Sequence, residues 1–115
     1  MTTINVTACD NELVILAYQW TGSFEIARIK SGNNQSVNVS INIKEGQYQG
    51  GVSLNGVNSG LSGTYDVYLA AGQYSLTAAG INWGAVGSFT VDLLGGETET
   101  YAGVAYTPDP VSLTV

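Results

Sequence analysis

Residues 36–43 read SVNVSINI, and this stretch decides the fold class. Every second residue is Val or Ile, and the residues between them are Asn or Ser. A period of two is the pattern of a β-strand with one face on a hydrophobic core and the other in water. The polar segment 44–47 is a predicted turn, and residues 48–54 are the predicted return strand.

The same alternation recurs further along the chain and predicts two hairpins. In the first, residues 65–69 and 74–78 are strands joined by a short glycine-containing turn. In the second, residues 89–93 lead through a Gly-Gly turn into a strand over residues 97–107. Repeated short strands with no helical period indicate an all-β sandwich or barrel.

The first third of the chain adds three more predicted strands, over residues 4–8, 12–20 and 24–30. Residues 12–20 are apolar at odd and even positions alike, which favours a strand buried on both faces. A short helix is the alternative, but Val, Ile, Tyr and Trp favour a strand. We therefore expect the 115 residues to form one all-β domain over 1–115, an antiparallel β-sandwich of immunoglobulin-like or jelly-roll-like type.

Two short motifs lie within residues 64–106: AGQYSLT at residues 71–77 and GGET at residues 95–98. With them, this part of the chain resembles immunoglobulin-like and transthyretin-like β-sandwich modules, including carboxypeptidase regulatory-like and PEGA-type domains. The resemblance implies a sandwich fold. It implies no functional residues, because the matching motifs are turn and core signals.

Charge is scarce in this chain and mostly negative. Only 10% of the residues are charged, and nine acidic residues against three basic ones give a net charge of −6. The basic residues, Arg28, Lys30 and Lys44, are too few to neutralise phosphates, which argues against nucleic-acid binding and against attraction to anionic membranes. No apolar run is long enough to insert in a bilayer. So few charges on a soluble domain favour a surface that other protein subunits cover.

The residues that most catalytic sites need are scarce. The chain has no histidine, which excludes most triads and zinc sites, and its one cysteine, Cys9, favours a small buried side chain. Glu97 and Glu99 share a strand face and are best interpreted as charges that protect an exposed strand, with a glycosidase pair as the alternative. We therefore predict a protein that is not an enzyme and needs no cofactor or metal.

A carbohydrate site is the sharpest ligand hypothesis that the sequence offers. Asn82 and Trp83 lie in one predicted loop, and Asn55 and Asn58 lie in a glycine-rich one. If these loops cluster at one end of the sandwich, they form a shallow sugar platform. The alternative is that Trp83 packs in the core and the asparagines serve turns.

The segment after Pro108 and Pro110 is the candidate for an assembly strand, through Val111, Leu113 and Val115. It pairs either within the domain or with a neighbouring subunit by strand addition. We expect a structural or interaction module of a larger assembly, homo-oligomeric or docked on a particle. Its composition is similar to that of bacteriophage virion accessory proteins, such as capsid decoration and tail or fibre components. A small carbohydrate-binding module is the alternative.

The N-terminal residues MTTIN lack the basic and apolar regions of a secretory signal. The expected location, which follows from the composition, is a virion or an extracellular surface, with no signal peptide in this sequence.

Overall fold

The computed structural model describes residues 2–32, 36–82, 88–94, 97–102 and 105–115, with residues 97–102 described as backbone. Within these residues, eleven strands form two sheets that pack face to face. The all-β sandwich predicted from the sequence is confirmed. No helix in the described part of the chain has the length and apolar character needed to cross a membrane.

The two sheets are called sheet A and sheet B. Sheet A has the strand order β6–β4–β1–β8–β9, formed by Leu61–Leu69, Val37–Glu45, Thr2–Cys9, Ser88–Leu93 and Glu97–Ala102. Sheet B has the order β10–β7–β2–β3–β5, formed by Ala105–Tyr106, Gln73–Ile81, Asn11–Gln19, Gly22–Ser31 and Val52–Gly56. A final strand, β11 (Val111–Thr114), also pairs with β7, on the edge that faces away from β2.

The core lies between the two sheets and follows the predicted alternation. In β4, the four residues Val37, Val39, Ile41 and Ile43 are buried, while the Asn and Ser residues between them point outward. Phe89 and Tyr106 stack their rings 5.1 Å apart and join β8 of sheet A to β10 of sheet B. Burial of these inward rows is what holds the two sheets together.

Two strand pairs differ from the predicted antiparallel arrangement. β3 pairs with β5 in parallel, and β4 pairs with β6 in parallel. The remaining pairs between described strands are antiparallel. Parallel neighbours require a long crossover connection. Here each crossover passes through a strand of the other sheet, β4 between β3 and β5, and β5 between β4 and β6. The alternation of apolar residues carries no signal for this.

The predicted return strand over residues 48–54 is therefore wrong. The chain leaves sheet A after β4 and crosses to sheet B, where β5 begins at Val52. Tyr48 anchors this crossing, since its hydroxyl donates a hydrogen bond of 2.8 Å to the carbonyl oxygen of Glu25. Gly51 then passes so close to β3 that a Cβ atom there would lie 2.4 Å from the same oxygen.

The first predicted hairpin is also wrong, although both of its strands exist. β6 lies in sheet A and β7 lies in sheet B, so the turn between them is a corner from one sheet to the other. Tyr74 fixes this corner by donating a 2.7 Å hydrogen bond from its hydroxyl to the carbonyl oxygen of Ala70. Two strands that are consecutive in sequence show the same alternation of buried and exposed residues whether they pair in one sheet or lie in different sheets, so the pattern does not distinguish a hairpin from a corner.

The second predicted hairpin is confirmed by the antiparallel pairing of β8 with β9, which sets Phe89 opposite Tyr101 and Leu93 opposite Glu97. The predicted strand over residues 97–107, however, is divided. β9 ends at Ala102 in sheet A, and β10 joins sheet B.

β2 confirms the strand predicted over residues 12–20 and corrects its predicted burial on both faces. Leu13, Ile15 and Ala17 are fully buried against sheet A. The opposite row is not covered, since Tyr18 is 37% exposed and Trp20 is completely exposed. The outer face of sheet B therefore presents apolar side chains to solvent, and it is the candidate interaction surface.

Candidate functional site

Asn55, Asn58 and Asn82, the predicted loop residues that the structure describes, lie at one end of the sandwich but do not form one surface. Asn55 and Asn58 are exposed at the end of β5 and in the turn after it. Asn82 follows β7 and is only 7% exposed, while Trp83 lies outside the described residues. Asn55 of β5 and Ile81 of β7, which precedes Asn82, lie in one row of paired residues that runs through Lys30 and Glu12. Three strand spacings, roughly 14 Å, therefore separate the two sites.

Asn55 also has a local structural role, because its Oδ1 accepts a hydrogen bond of 3.2 Å from the Val57 amide. This is the turn role that was the alternative to sugar binding for the asparagines.

The predicted assembly strand is paired inside its own domain. Val111 lies opposite Leu76 and Leu113 opposite Tyr74, with Leu113 buried in the core. The amide of Val115 donates to the carbonyl oxygen of Gly72, and the Gly72 amide donates back, both at 2.9 Å. The segment thus takes the first of its two predicted alternatives, pairing within the domain.

The main exposed apolar surface lies on the outer face of sheet B. Directly paired residues share a face of a sheet, and the register sets Val14 opposite Ala79, with Leu16 next along β2 and Ile81 next along β7. Val14 and Leu16 are half-buried, Ala79 is exposed and Ile81 is 47% exposed. We call these four residues the apolar strip. No sequence motif marks them, and the row that holds Val14 and Leu16 was predicted to be buried.

Charged side chains flank the strip on β3 and neutralise one another. The Arg28 guanidinium donates to Glu12 at 3.0 Å and to Glu25 at 2.8 Å. These contacts, with Glu25 the larger and Glu12 the smaller cause, raise the pKa of Arg28 above its ordinary value. Lys30 lies on the same face, opposite Glu12.

This face of sheet B is therefore electrically neutral in an acidic protein. Glu12 and Glu25 balance Arg28 and Lys30, so the seven remaining acidic residues and the one remaining basic residue account for the whole net charge of −6.

A shallow groove of about 460 Å³ adjoins the strip at the end of β2. Tyr18 and Trp20 form its aromatic side. The rest of its lining comes from β7, β11 and the end of β2: Gln19, Gln73, Tyr74, Ser75 and Ser112. We call this the aromatic groove. Sequence reasoning missed the exposure of Trp20, because it placed this residue inside the strand predicted over residues 12–20.

The register places polar groups of the groove in a row across four strands, which Ser23 extends beyond the residues that line the groove. Ser112 of β11 lies opposite Ser75 of β7, Ser75 opposite Tyr18 of β2, and Tyr18 opposite Ser23 of β3. Neighbouring members of the row are therefore about 4.8 Å apart. Gln73 is held at the rim, because its side-chain oxygen accepts a hydrogen bond of 2.9 Å from Thr114.

The outer face of sheet A differs from that of sheet B, since its polar side chains bond to one another. Thr3 donates to Asn42 at 2.8 Å, and Asn42 and Lys44 donate to Asp66 at 3.2 and 3.1 Å. Lys44 and, to a smaller extent, Asn42 hold the pKa of Asp66 below its ordinary value. Polar side chains described on this face therefore have hydrogen-bond partners of their own.

Cys9 behaves as the sequence predicts. It is buried, and burial, with smaller contributions from Asp10 and Glu12, raises its pKa to about 12. A thiol with so high a pKa is a poor nucleophile at neutral pH.

Elsewhere in the described part of the chain, no group of three or more His, Cys, Asp or Glu side chains is placed to hold a metal ion. The side chains of Glu97 and Glu99 lie outside what the structure describes.

Comparison with protein-family models, with curated proteins and with solved structures finds no match to this chain. The resemblance to immunoglobulin-like and transthyretin-like modules therefore stays a prediction.

Proposed function

We propose that this chain is a non-enzymatic structural module that assembles with other protein subunits through the outer face of sheet B. The observation that carries the proposal is the apolar strip, which places Val14, Leu16, Ala79 and Ile81 together on an uncovered sheet face. Outward faces of such sheets are ordinarily polar, and contiguous apolar surface marks interaction sites.

The partner that fits this surface best is a second copy of the same chain. Two chains that each carry a net charge of −6 repel one another unless the surfaces that meet are neutral. The strip and its flanking residues meet this condition, since Arg28 is bound to Glu12 and Glu25 and Lys30 supplies the second positive charge. A two-fold arrangement would set one strip against the other.

The strip consists of four residues on two strands of sheet B. The contact therefore falls at the small end of specific interfaces, below about 1,200 Å² in total. We expect weak, concentration-dependent association rather than a permanent dimer. Repeated contacts in a large assembly strengthen such an interface by multivalency. A virion accessory role, in capsid decoration or in a tail or fibre, is the form of assembly that the composition supports.

Sedimentation velocity over a wide range of concentrations tests the proposal with two matched substitutions. Ile81 and Val57 are both apolar and both 47% exposed, but only Ile81 belongs to the strip. We expect the parent protein and Val57→Lys to self-associate as concentration rises, and Ile81→Lys to remain monomeric. A monomeric parent protein, or equal association by both variants, would contradict self-assembly through the strip.

The virion form of the proposal has its own test. Sedimentation of native material from its source should place the chain in a particle of megadalton size. Recovery of the chain only as free small species would contradict a virion role and leave the sedimentation test of the strip unaffected.

A further inference from the structure

We infer that the aromatic groove is a binding site for an uncharged oligosaccharide. This site adjoins the strip that we propose for assembly but shares no residue with it. Ile81, at the far end of the strip, lies opposite Glu12, six residues along β2 from Tyr18, about 20 Å at the rise of a strand. The inference stands whether or not the chain self-associates.

The first argument is the exposure of Trp20. Its side chain is completely accessible to solvent, although tryptophan is a large apolar residue that proteins usually cover. It stands in the tight turn between β2 and β3, where Gln19 pairs with Gly22, so a two-residue connection holds its backbone. The short turn fixes the backbone at Trp20 and leaves the whole indole ring accessible to a ligand.

The second argument is the row of hydroxyl groups beside that ring. Ser112, Ser75 and Ser23 lie in register with Tyr18. Each hydroxyl both donates and accepts hydrogen bonds. A pyranose has an apolar face of C–H groups, which packs on an aromatic ring, and an edge of hydroxyls, which matches such a row. The row crosses four strands, a length that suits several linked sugars better than one.

The third argument is charge. None of the described residues that line the groove carries a formal charge at neutral pH. An anionic ligand would need a free cation, and Arg28 is already bound to Glu12 and Glu25. The net charge of −6 also repels anions. An uncharged ligand with many hydroxyls matches this lining. The volume of the groove, about 460 Å³, is within the range of small-molecule sites, about 300–1,000 Å³.

The test begins with the full chain on an array of neutral and anionic oligosaccharides, followed by titration with the neutral glycan that gives the strongest signal. We expect the parent protein to bind neutral glycans and Trp20→Ala to weaken binding at least about tenfold, the effect of one lost aromatic contact. Trp20→Phe, which keeps an aromatic ring, should retain most of the binding. Ser112→Ala should weaken binding without removing it.

Trp83→Ala is the matched control, because it removes the other tryptophan of the chain, and it should bind as the parent does. Ile81→Lys should also bind normally, which separates this site from the assembly surface. The inference is overturned if the parent binds no glycan or only anionic ones, or if Trp20→Ala binds as tightly as the parent. Loss of binding in Trp83→Ala with retention in Trp20→Ala would overturn it too, by moving the site to the loop after β7.

Discussion

Gly72 and Val115 exchange two backbone hydrogen bonds of 2.9 Å, which tie the end of β11 to the corner between β6 and β7. The corner carries the chain from sheet A to sheet B, and β11 supplies Leu113 to the core beside it. The last strand thus helps to hold the two sheets together, through its hydrogen bonds to the corner and through Leu113 in the core.

Leu113→Ala should lower the free energy of unfolding by about 2–4 kcal/mol, because it leaves a cavity where a buried side chain stood. Urea unfolding followed by fluorescence measures the change. Ser112→Ala, one residue away and exposed, is the control and should change stability by less than about 0.5 kcal/mol. Equal small effects from the two variants would show that β11 is not packed as described.

Gly51→Ala should destabilise the protein by about 1–3 kcal/mol, because its Cβ would lie 2.4 Å from the carbonyl oxygen of Glu25 and would push the crossing away from β3. Gly22→Ala is the matched control, since nothing lies within 4 Å of the position of its Cβ. Thermal melting of both variants gives the comparison. A Gly51→Ala protein as stable as the parent would be inconsistent with the parallel β3–β5 pairing.

Cys9 should resist thiol reagents in the folded protein, because burial keeps it protonated and covered. Its pKa of about 12 lies above its ordinary value of 9.0, so its contribution to stability is complete below pH 9 and is lost as pH rises toward 12. Labelling with a chromogenic disulfide should be slow at neutral pH and fast in urea. Rapid labelling of the folded chain would contradict the burial of this thiol.

Asp66 should contribute to the acid sensitivity of the protein. Lys44, and less strongly Asn42, hold its pKa below the ordinary 3.8, so its contribution is present above pH 3.8 and is lost as pH falls through its lowered pKa. The difference in stability between the parent and Asp66→Asn should therefore shrink on acidification. Parallel curves of stability against pH for the parent and Asp66→Asn would contradict a role of Asp66 in acid sensitivity.

The sequence predicts the inward rows of this fold well. The alternation in residues 36–43 identifies the buried side of β4, because period two is imposed by the pleat itself. It does not assign strands to sheets. The turn at residues 70–72 is a corner, whereas β8 and β9 pair as a hairpin, although both β6 and β8 are alternating strands. The difference depends on contacts distant in sequence, such as that of Gly72 with Val115.

The candidate site was harder to predict for a related reason. Apolar residues on both rows of β2 indicate burial on both sides when the sequence is considered alone. Sheet A covers only the row of Leu13 and Ile15, so the row of Leu16 and Tyr18 becomes a surface. Whether a second layer covers a sheet is a property of the whole fold and leaves no local signal. The loop asparagines were predicted to bind sugar because of their residue type and loop positions, but Asn55 accepts a hydrogen bond within a turn and Asn82 is buried.

A dilution series followed by amide NMR tests the central claim, that the outer face of sheet B is the assembly surface. We predict that the amide shifts of Leu16, Ala79 and Ile81 change with protein concentration. Those of Asn38 and Thr64, on the outer face of sheet A, should stay constant. Shifts that are independent of concentration throughout, or that change only on sheet A, would contradict the account.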